Sequence, residues 1–195
     1  MRCVREILGG GRFSGYTLID GPVPRRDVDS EVRCRALCEA NRCGQYGRTW
    51  ACPPGFSGTL DDYSGRFSSA VVMKRTDRAD PHDAEAMSEL SCRIQDDMRH
   101  AVTLLRGEGY DCMGFADAGC TYCGVCAYPD QCRFPAMLIP SVSALGLDMG
   151  EYLGCLGEQF VFRDDAVTLY GLLLVGRPLP SASPSSNGRP MFQQH

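Results

Sequence analysis

Residues 119–132 form the densest cysteine segment of the chain. They read Gly119-Cys120-Thr121-Tyr122-Cys123-Gly124-Val125-Cys126, and Cys132 follows after five more residues. Three cysteines with two residues between neighbours suit a loop that wraps a compact metal cluster, because the irons of a cluster present several corners to one loop. A segment rich in Gly, Pro and Cys buries too little apolar surface to offset its ordering entropy, about 1–2 kcal/mol per residue. We therefore expect the fold here to depend on bound metal.

A second group of cysteines lies upstream with the spacing Cys-x3-Cys-x4-Cys-x8-Cys. The two groups together comprise eight candidate ligands: Cys34, Cys38, Cys43, Cys52, Cys120, Cys123, Cys126 and Cys132. Each group supplies four thiolates, the number that closes either a tetrahedral zinc site or a [4Fe–4S] cluster.

The spacing of the two groups favours iron–sulfur clusters over zinc. Zinc ligands usually come as two well-separated pairs, whereas Cys120–Cys126 has the spacing of the first three ligands of a bacterial ferredoxin. Cys52 is followed by Pro53, as the last ferredoxin cysteine is, although five residues rather than three precede Cys132. We predict two [4Fe–4S] clusters, with zinc as the alternative. The pairing of cysteines with clusters stays open, because the fourth cysteine can ligate the other cluster in two-cluster ferredoxins.

The rest of the composition narrows the class of protein. The chain has 195 residues and 12 cysteines, and its opening residues lack the apolar core of a signal peptide. We therefore expect a cytoplasmic protein whose cysteines bind metal rather than form disulfides. No apolar run is long enough to span a membrane, and a net charge of −4 disfavours binding to nucleic acid. The cysteines outside the two groups are expected to be inert thiols: Cys3, Cys92, Cys112 and Cys155.

The sequence lacks the common catalytic and nucleotide-binding motifs. The chain has three histidines, and none has a partner at metal-ligand or nucleophile spacing. No Walker loop or dinucleotide-binding fingerprint occurs, so nucleotide cofactors are not indicated. Four arginines surround the first cysteine group, and they either stabilise an anionic cluster or form a solvated helix surface: Arg33, Arg35, Arg42 and Arg48.

Hydrophobic patterning predicts helices mixed with strands. The clearest helix starts at Asp80-Pro81 and ends at Gly107, with an apolar stripe at helical spacing. Asp29 or Ser30 is expected to cap an earlier helix that runs to about Asn41. Short helical turns are expected within residues 140–156, and strands over residues 16–19, 69–73, 110–116 and 167–175. These elements predict one α/β or α+β domain over residues 1–176: a small sheet flanked by helices, with two cysteine-rich loops at one end. Residues 177–195 are expected to form a flexible C-terminal tail.

Two stretches resemble a known family. The first is residues 46–55, Tyr-Gly-Arg-Thr-Trp-Ala-Cys-Pro-Pro-Gly, and the second is residues 119–126 with Cys132-Arg133-Phe134-Pro135 and Pro140-Ser141. Both are similar to the predicted metal-binding family catalogued as a domain of unknown function, number 2284. The resemblance covers residues 30–175 and implies that the eight cysteines bind metal or iron–sulfur clusters. Members usually carry Ser-Met-Glu-Ala where this chain has Ser141-Val142-Ser143-Ala144, so a chemical role of that Glu would be missing here.

These observations support three hypotheses about function. The first is electron transfer, in which two [4Fe–4S] clusters exchange single electrons with a redox partner protein. Eight ligands would fill both clusters, which leaves no iron open and favours this hypothesis. The second is an enzyme that acts on a small molecule at a labile cluster iron. The third is a structural zinc module that presents an interaction surface.

Overall fold

The computed structural model describes residues 2–178, with the side chains of residues 2–176. Within these residues, four α-helices and four strands follow one another: α1 Val4–Leu8, β1 Thr17–Gly21, α2 Val28–Glu39, β2 Ser69–Asp77, α3 Ala84–Gly107, β3 Tyr110–Ala116, α4 Met149–Cys155 and β4 Val167–Pro178. Arg177 and Pro178 extend the backbone of β4, and the rest of the predicted tail lies outside the described residues. In the part of the chain described, no helix is long and apolar enough to cross a membrane.

The strands form one antiparallel sheet in the order β1-β2-β4-β3. β2 and β4 occupy its centre and pair over nine residues, from Ser69 opposite Val175 to Asp77 opposite Val167. Because every pairing of the sheet is antiparallel, the α+β alternative of the predicted fold class is the correct one.

Each face of the sheet is covered by a separate hydrophobic layer. α3 packs on one face, where the predicted stripe of Ile94, Met98 and Leu105 is buried together with β-strand residues such as Met73. The other face packs on α4 and the segment before it, including Leu153. The long helix and all four strands are thus confirmed: the apolar residues of α3 repeat at helical spacing, and the central strands β2 and β4 are apolar runs because both faces of the sheet are covered.

Three details of the helices differ from the sequence prediction. α3 begins at Ala84 rather than at Asp80-Pro81, because Asp83 is its N-cap and accepts hydrogen bonds from the backbone N–H groups of Glu85 and Ala86. α2 begins at Val28, earlier than a cap at Asp29 or Ser30 would allow, because Asp27 is its N-cap and accepts a hydrogen bond from the backbone N–H of Ser30 at 2.8 Å. Three potential capping residues lie close together here, and propensity does not choose among them. The short helix α1 was not predicted, and its Leu8 is fully buried under the α3 layer.

The end of β3 ties both cysteine-rich loops to the same edge of the sheet. The backbone of Ala116 bonds to Pro140 and Val142, which places the segment 140–142 alongside the strand end. The N–H of Ser141 then donates to the carbonyl of Ala51, the residue before Cys52, at 2.9 Å. The chain that leaves β3 runs directly into the second cysteine group. Two segments that are distant in sequence are therefore adjacent, as the prediction of loops at one end of the sheet requires.

Candidate metal centre

The first cysteine segment, residues 34–52, is a helix end followed by a tight reversal of the chain. Cys34 and Cys38 lie on α2, Cys43 lies in the turn that follows, and Cys52 ends the segment. The reversal uses Gly47, whose φ is +67° and whose N–H donates to the carbonyl of Pro53 at 2.9 Å. A residue with a Cβ is strained in that conformation. The reversal brings Cys52 back toward Cys43.

Three of these cysteines line one pocket of about 180 Å³, which we call the cysteine pocket. Its thiols are those of Cys38, Cys43 and Cys52, and its other lining residues are Gln45, Tyr46, Pro53, Ala118, Gly119, Ser141 and Ser143. Cys34 is not among them. Within residues 2–176, no three side chains of His, Cys, Asp or Glu converge closely enough to hold a single metal ion. The thiols of Cys38, Cys43 and Cys52 line a cavity and do not converge on a single position.

The Cys52 thiol is buried and the Cys38 thiol half-buried, so both need compensation to ionise, whereas Cys43 is exposed. The pKa of Cys52 is raised to about 11, chiefly by burial; the Thr49 hydroxyl opposes this shift, and the neighbouring thiols of Cys43, Cys38 and Cys120 contribute to it. Burial likewise raises the pKa of Cys38, with Cys43 adding to the shift. A bound cation supplies the compensation, because metal ligation replaces the thiol proton. The pocket is thus suited to a bound metal cation, which displaces the thiol protons.

Two further observations bear on whether the residues around the cysteine pocket would accommodate a bound cluster. The Thr49 hydroxyl oxygen is buried and has no hydrogen-bond partner among the described residues, although it lies beside Cys52. A bound cluster offers sulfurs that accept from such a hydroxyl. A Cβ on Gly119 would lie 3.0 Å from Gln45 Oε1 and 3.5 Å from Cys52 Sγ, so the glycine keeps this wall of the pocket open.

The second cysteine segment, residues 120–132, is a loop without regular secondary structure. Burial raises the pKa of Cys132, and the neighbouring thiols of Cys126, Cys120 and Cys123 add to the shift. Gly124 adopts a φ of +69° at the turn between Cys123 and Cys126. The four predicted ligands of this loop thus influence one another's charge, although no three of them converge on one position among the described residues.

A buried arginine lies beside this loop. The Arg99 guanidinium, on α3, donates to the Cys120 sulfur at 3.8 Å and to the carbonyl of Met137 at 2.9 Å. Its central carbon lies 4.9 Å from the centre of the Tyr122 ring, and Asp96 forms an ion pair with it. A positive charge held against a ligand sulfur stabilises a thiolate and an anionic cluster.

The two segments meet at Cys52. Gly119, one residue before Cys120, lies against the Cys52 sulfur, and the thiols of Cys52 and Cys120 influence each other. Trp50 connects the two segments. Its indole N–H donates to the carbonyl of Asp130 at 2.8 Å, and its ring packs edge-on to Tyr128. Trp50 is therefore a packing residue that holds the two segments together.

The other residues singled out from the sequence occupy different places in the fold. Arg33 and Arg35 form ion pairs with Glu151 and Glu31, so both arginines have carboxylate partners. Cys112 is buried in the α3 layer, and the remaining three unassigned cysteines are exposed: Cys3, Cys92 and Cys155.

Sequence reasoning missed Arg99 and Thr49. The sequence did contain a sign that Arg99 is buried. It directly follows Met98 of the apolar stripe, and Ala101 and Val102 on the next part of the same helix are also buried. An arginine at the edge of a buried stripe needs a polar partner in the interior. No comparable pattern marks Thr49, because its burial depends on the fold of the loop.

A comparison with known families agrees with this geometry. The family model for predicted metal-binding proteins, DUF2284, matches residues 22–175. The chain belongs to this family. The matched region contains all eight candidate ligands, and also Ser143, which lines the cysteine pocket at the point where the chain departs from the usual family sequence. No curated protein and no solved structure matches the chain.

Proposed function

We propose that this metal-binding protein carries two [4Fe–4S] clusters, one in each cysteine segment, and passes single electrons between them and a redox partner protein. The observation that carries the proposal is the junction of the segments, where the Cys52 sulfur lies against Gly119 and beside Cys120. When bound, each cluster supplies a one-electron redox centre. Two such centres held next to each other form a path for electrons through the protein.

Several features support iron–sulfur clusters rather than zinc. Cys38, Cys43 and Cys52 line a pocket of about 180 Å³, which suits a group with several corners, whereas zinc takes four ligands at about 2.0–2.3 Å from one point. Arg99 provides positive charge beside Cys120, which suits an anionic cluster. The ferredoxin-like spacing of Cys120, Cys123 and Cys126 points the same way.

The surface of the second segment suits contact with a partner. Tyr122, Val125 and Phe134 are 42%, 81% and 48% exposed, and the rings of Tyr122 and Phe134 pack edge-on. Exposed apolar residues next to a redox centre let a partner approach closely while water is excluded. We expect the redox partner to dock here.

The test is purification without oxygen, followed by metal and sulfide analysis. We expect a brown protein with about eight irons and as many sulfides per chain, the content of two four-iron clusters, and an electron paramagnetic resonance signal after reduction with dithionite. A colourless protein with stoichiometric zinc and no sulfide would refute the proposal and favour the structural zinc module.

A further inference from the structure

Gln95 is completely buried although its side chain is polar. It lies on α3, and its amide Nε2 donates to the carbonyls of Asp117 at 3.2 Å and Ala118 at 3.3 Å. These two residues connect β3 to the second cysteine segment. The other amide atom of Gln95, Oε1, has no hydrogen-bond partner among the described residues. An apolar side chain would occupy this position without an unpaired oxygen, so the two donated hydrogen bonds are what the glutamine contributes.

These hydrogen bonds hold the backbone of Ala118 in an unusual conformation. Along an extended chain successive peptide groups alternate in direction, so one amide group reaches two consecutive carbonyls only where the residue between them bends the chain. Ala118 has a φ of +66°, which is strained for a residue with a Cβ. Gln95 binds the carbonyls on both sides of the Ala118 Cα, and this offsets the strain.

The chain is fixed just before the bend. The N–H of Asp117 donates to the carbonyl of Tyr170 on β4 at 3.2 Å, and the Asp117 carboxylate accepts from the N–H of Tyr170 at 2.9 Å. Asp117 is therefore held by the sheet, and the conformation of Ala118 decides the direction in which the chain continues.

The residues just after the bend form the junction of the two cysteine segments. Gly119 is the residue whose Cβ would lie 3.5 Å from the Cys52 sulfur. Cys120 comes next, and its sulfur accepts from Arg99, which lies four residues after Gln95 on α3. Residues four apart share one face of a helix, so the same face of α3 holds the bend through Gln95 and the first ligand through Arg99.

We infer that Gln95 is the positioning residue of this junction and that it sets the separation of the two clusters. The inference rests on the proposed function, because it presupposes a cluster in each segment. Gln95 acts through the backbone of Asp117 and Ala118, which carry Gly119 and Cys120 toward Cys52. Electron transfer between two centres slows steeply as they move apart, so the bend at Ala118 determines how fast electrons pass between the segments.

Electron paramagnetic resonance of the fully reduced protein tests the inference, because two paramagnetic clusters held close together split or broaden each other's signals. We expect the wild type to show this interaction. Gln95→Met keeps an unbranched side chain but removes both donated hydrogen bonds, and it should keep the wild-type iron and sulfide while losing most of the interaction. The matched control Val102→Ala truncates another buried residue of α3, which contacts β3 at Gly114, and it should keep the interaction.

The possible outcomes separate the inference from the proposed function. An undiminished interaction in Gln95→Met, or equal losses in Gln95→Met and Val102→Ala, would overturn the inference and leave the proposed function intact. A wild type that contains both clusters but shows no interaction would also overturn it. A wild type without iron and sulfide refutes the proposed function itself.

A second variant decides the case in which Gln95→Met fails to retain metal. Ala118→Gly places a residue without a Cβ at a φ of +66°, where glycine is not strained. Combined with Gln95→Met, it should restore the metal content and part of the interaction between the clusters, because the bend then forms without the glutamine. A cavity or a loss of packing around residue 95 is not repaired by this glycine, so no recovery in the double variant would show that Gln95 only fills space and would overturn the inference.

Discussion

The Arg99 guanidinium should raise the reduction potential of the cluster in the second cysteine segment. It lies 3.8 Å from the Cys120 sulfur and is buried, so solvent screens it little. The variant Arg99→Gln removes the charge and leaves a shorter, neutral side chain that ends in an amide. Reduction adds one negative charge to the cluster, and the positive charge beside it favours that step.

The structure gives the size of the effect. A unit charge at 3.8 Å from another interacts by about 4 kcal/mol at an effective dielectric constant of about 20. The added electron is shared over the whole cluster, and Asp96 offsets part of the arginine charge. Taking a quarter to a half of the full interaction leaves about 1–2 kcal/mol, which for one electron is about 45–90 mV. Arg99→Gln should lower one of the two potentials by this amount.

Redox titration monitored by electron paramagnetic resonance measures both potentials. The matched control is Arg93→Gln, which removes the same charge from the same helix but at a residue paired with Asp77 on β2. The control should leave both potentials within experimental error of the wild type. Equal shifts in the two variants, or no shift in Arg99→Gln with its iron content intact, would refute the reasoning from local charge.

Three further results are expected. Gly119→Ala should lower the iron content, because its Cβ would crowd Gln45 in the cysteine pocket. The control Gly107→Ala adds a Cβ that meets no neighbouring atom, so this variant should keep its iron. Equal iron content in the two variants would contradict this account. Burial raises the pKa of Asp117 from 3.8 to about 6, so the native state holds this proton longer and the free energy of unfolding should fall by about 3 kcal/mol as the pH rises from about 3 to about 7. Urea titrations of Asp117→Asn should lack that fall. Removal of metal should abolish hydrogen-exchange protection in residues 43–58 and 117–140 but not in α3, and equal protection with and without metal would contradict metal-dependent folding.

The regular elements were predictable because each follows one simple period. The α3 stripe repeats at helical spacing, and β4 is a charge-free apolar run over residues 167–175 that is typical of a central strand. The direction of the strands was not predictable, because the same apolar residues suit parallel and antiparallel neighbours. The antiparallel pairing depends on how the connections between β2, β3 and β4 pack, and that is a property of the whole fold.

The candidate ligands were predictable by spacing, but their grouping in space was not. Spacing treats the first four cysteines as one set, whereas the structure divides them between the end of a helix and the loop that follows. Cys34 and Cys38 share a helix face and still differ in their neighbours, since α4 lies beside Cys34 and the loop from β3 lies beside Cys38. The contacts that distinguish them come from residues far away in the chain.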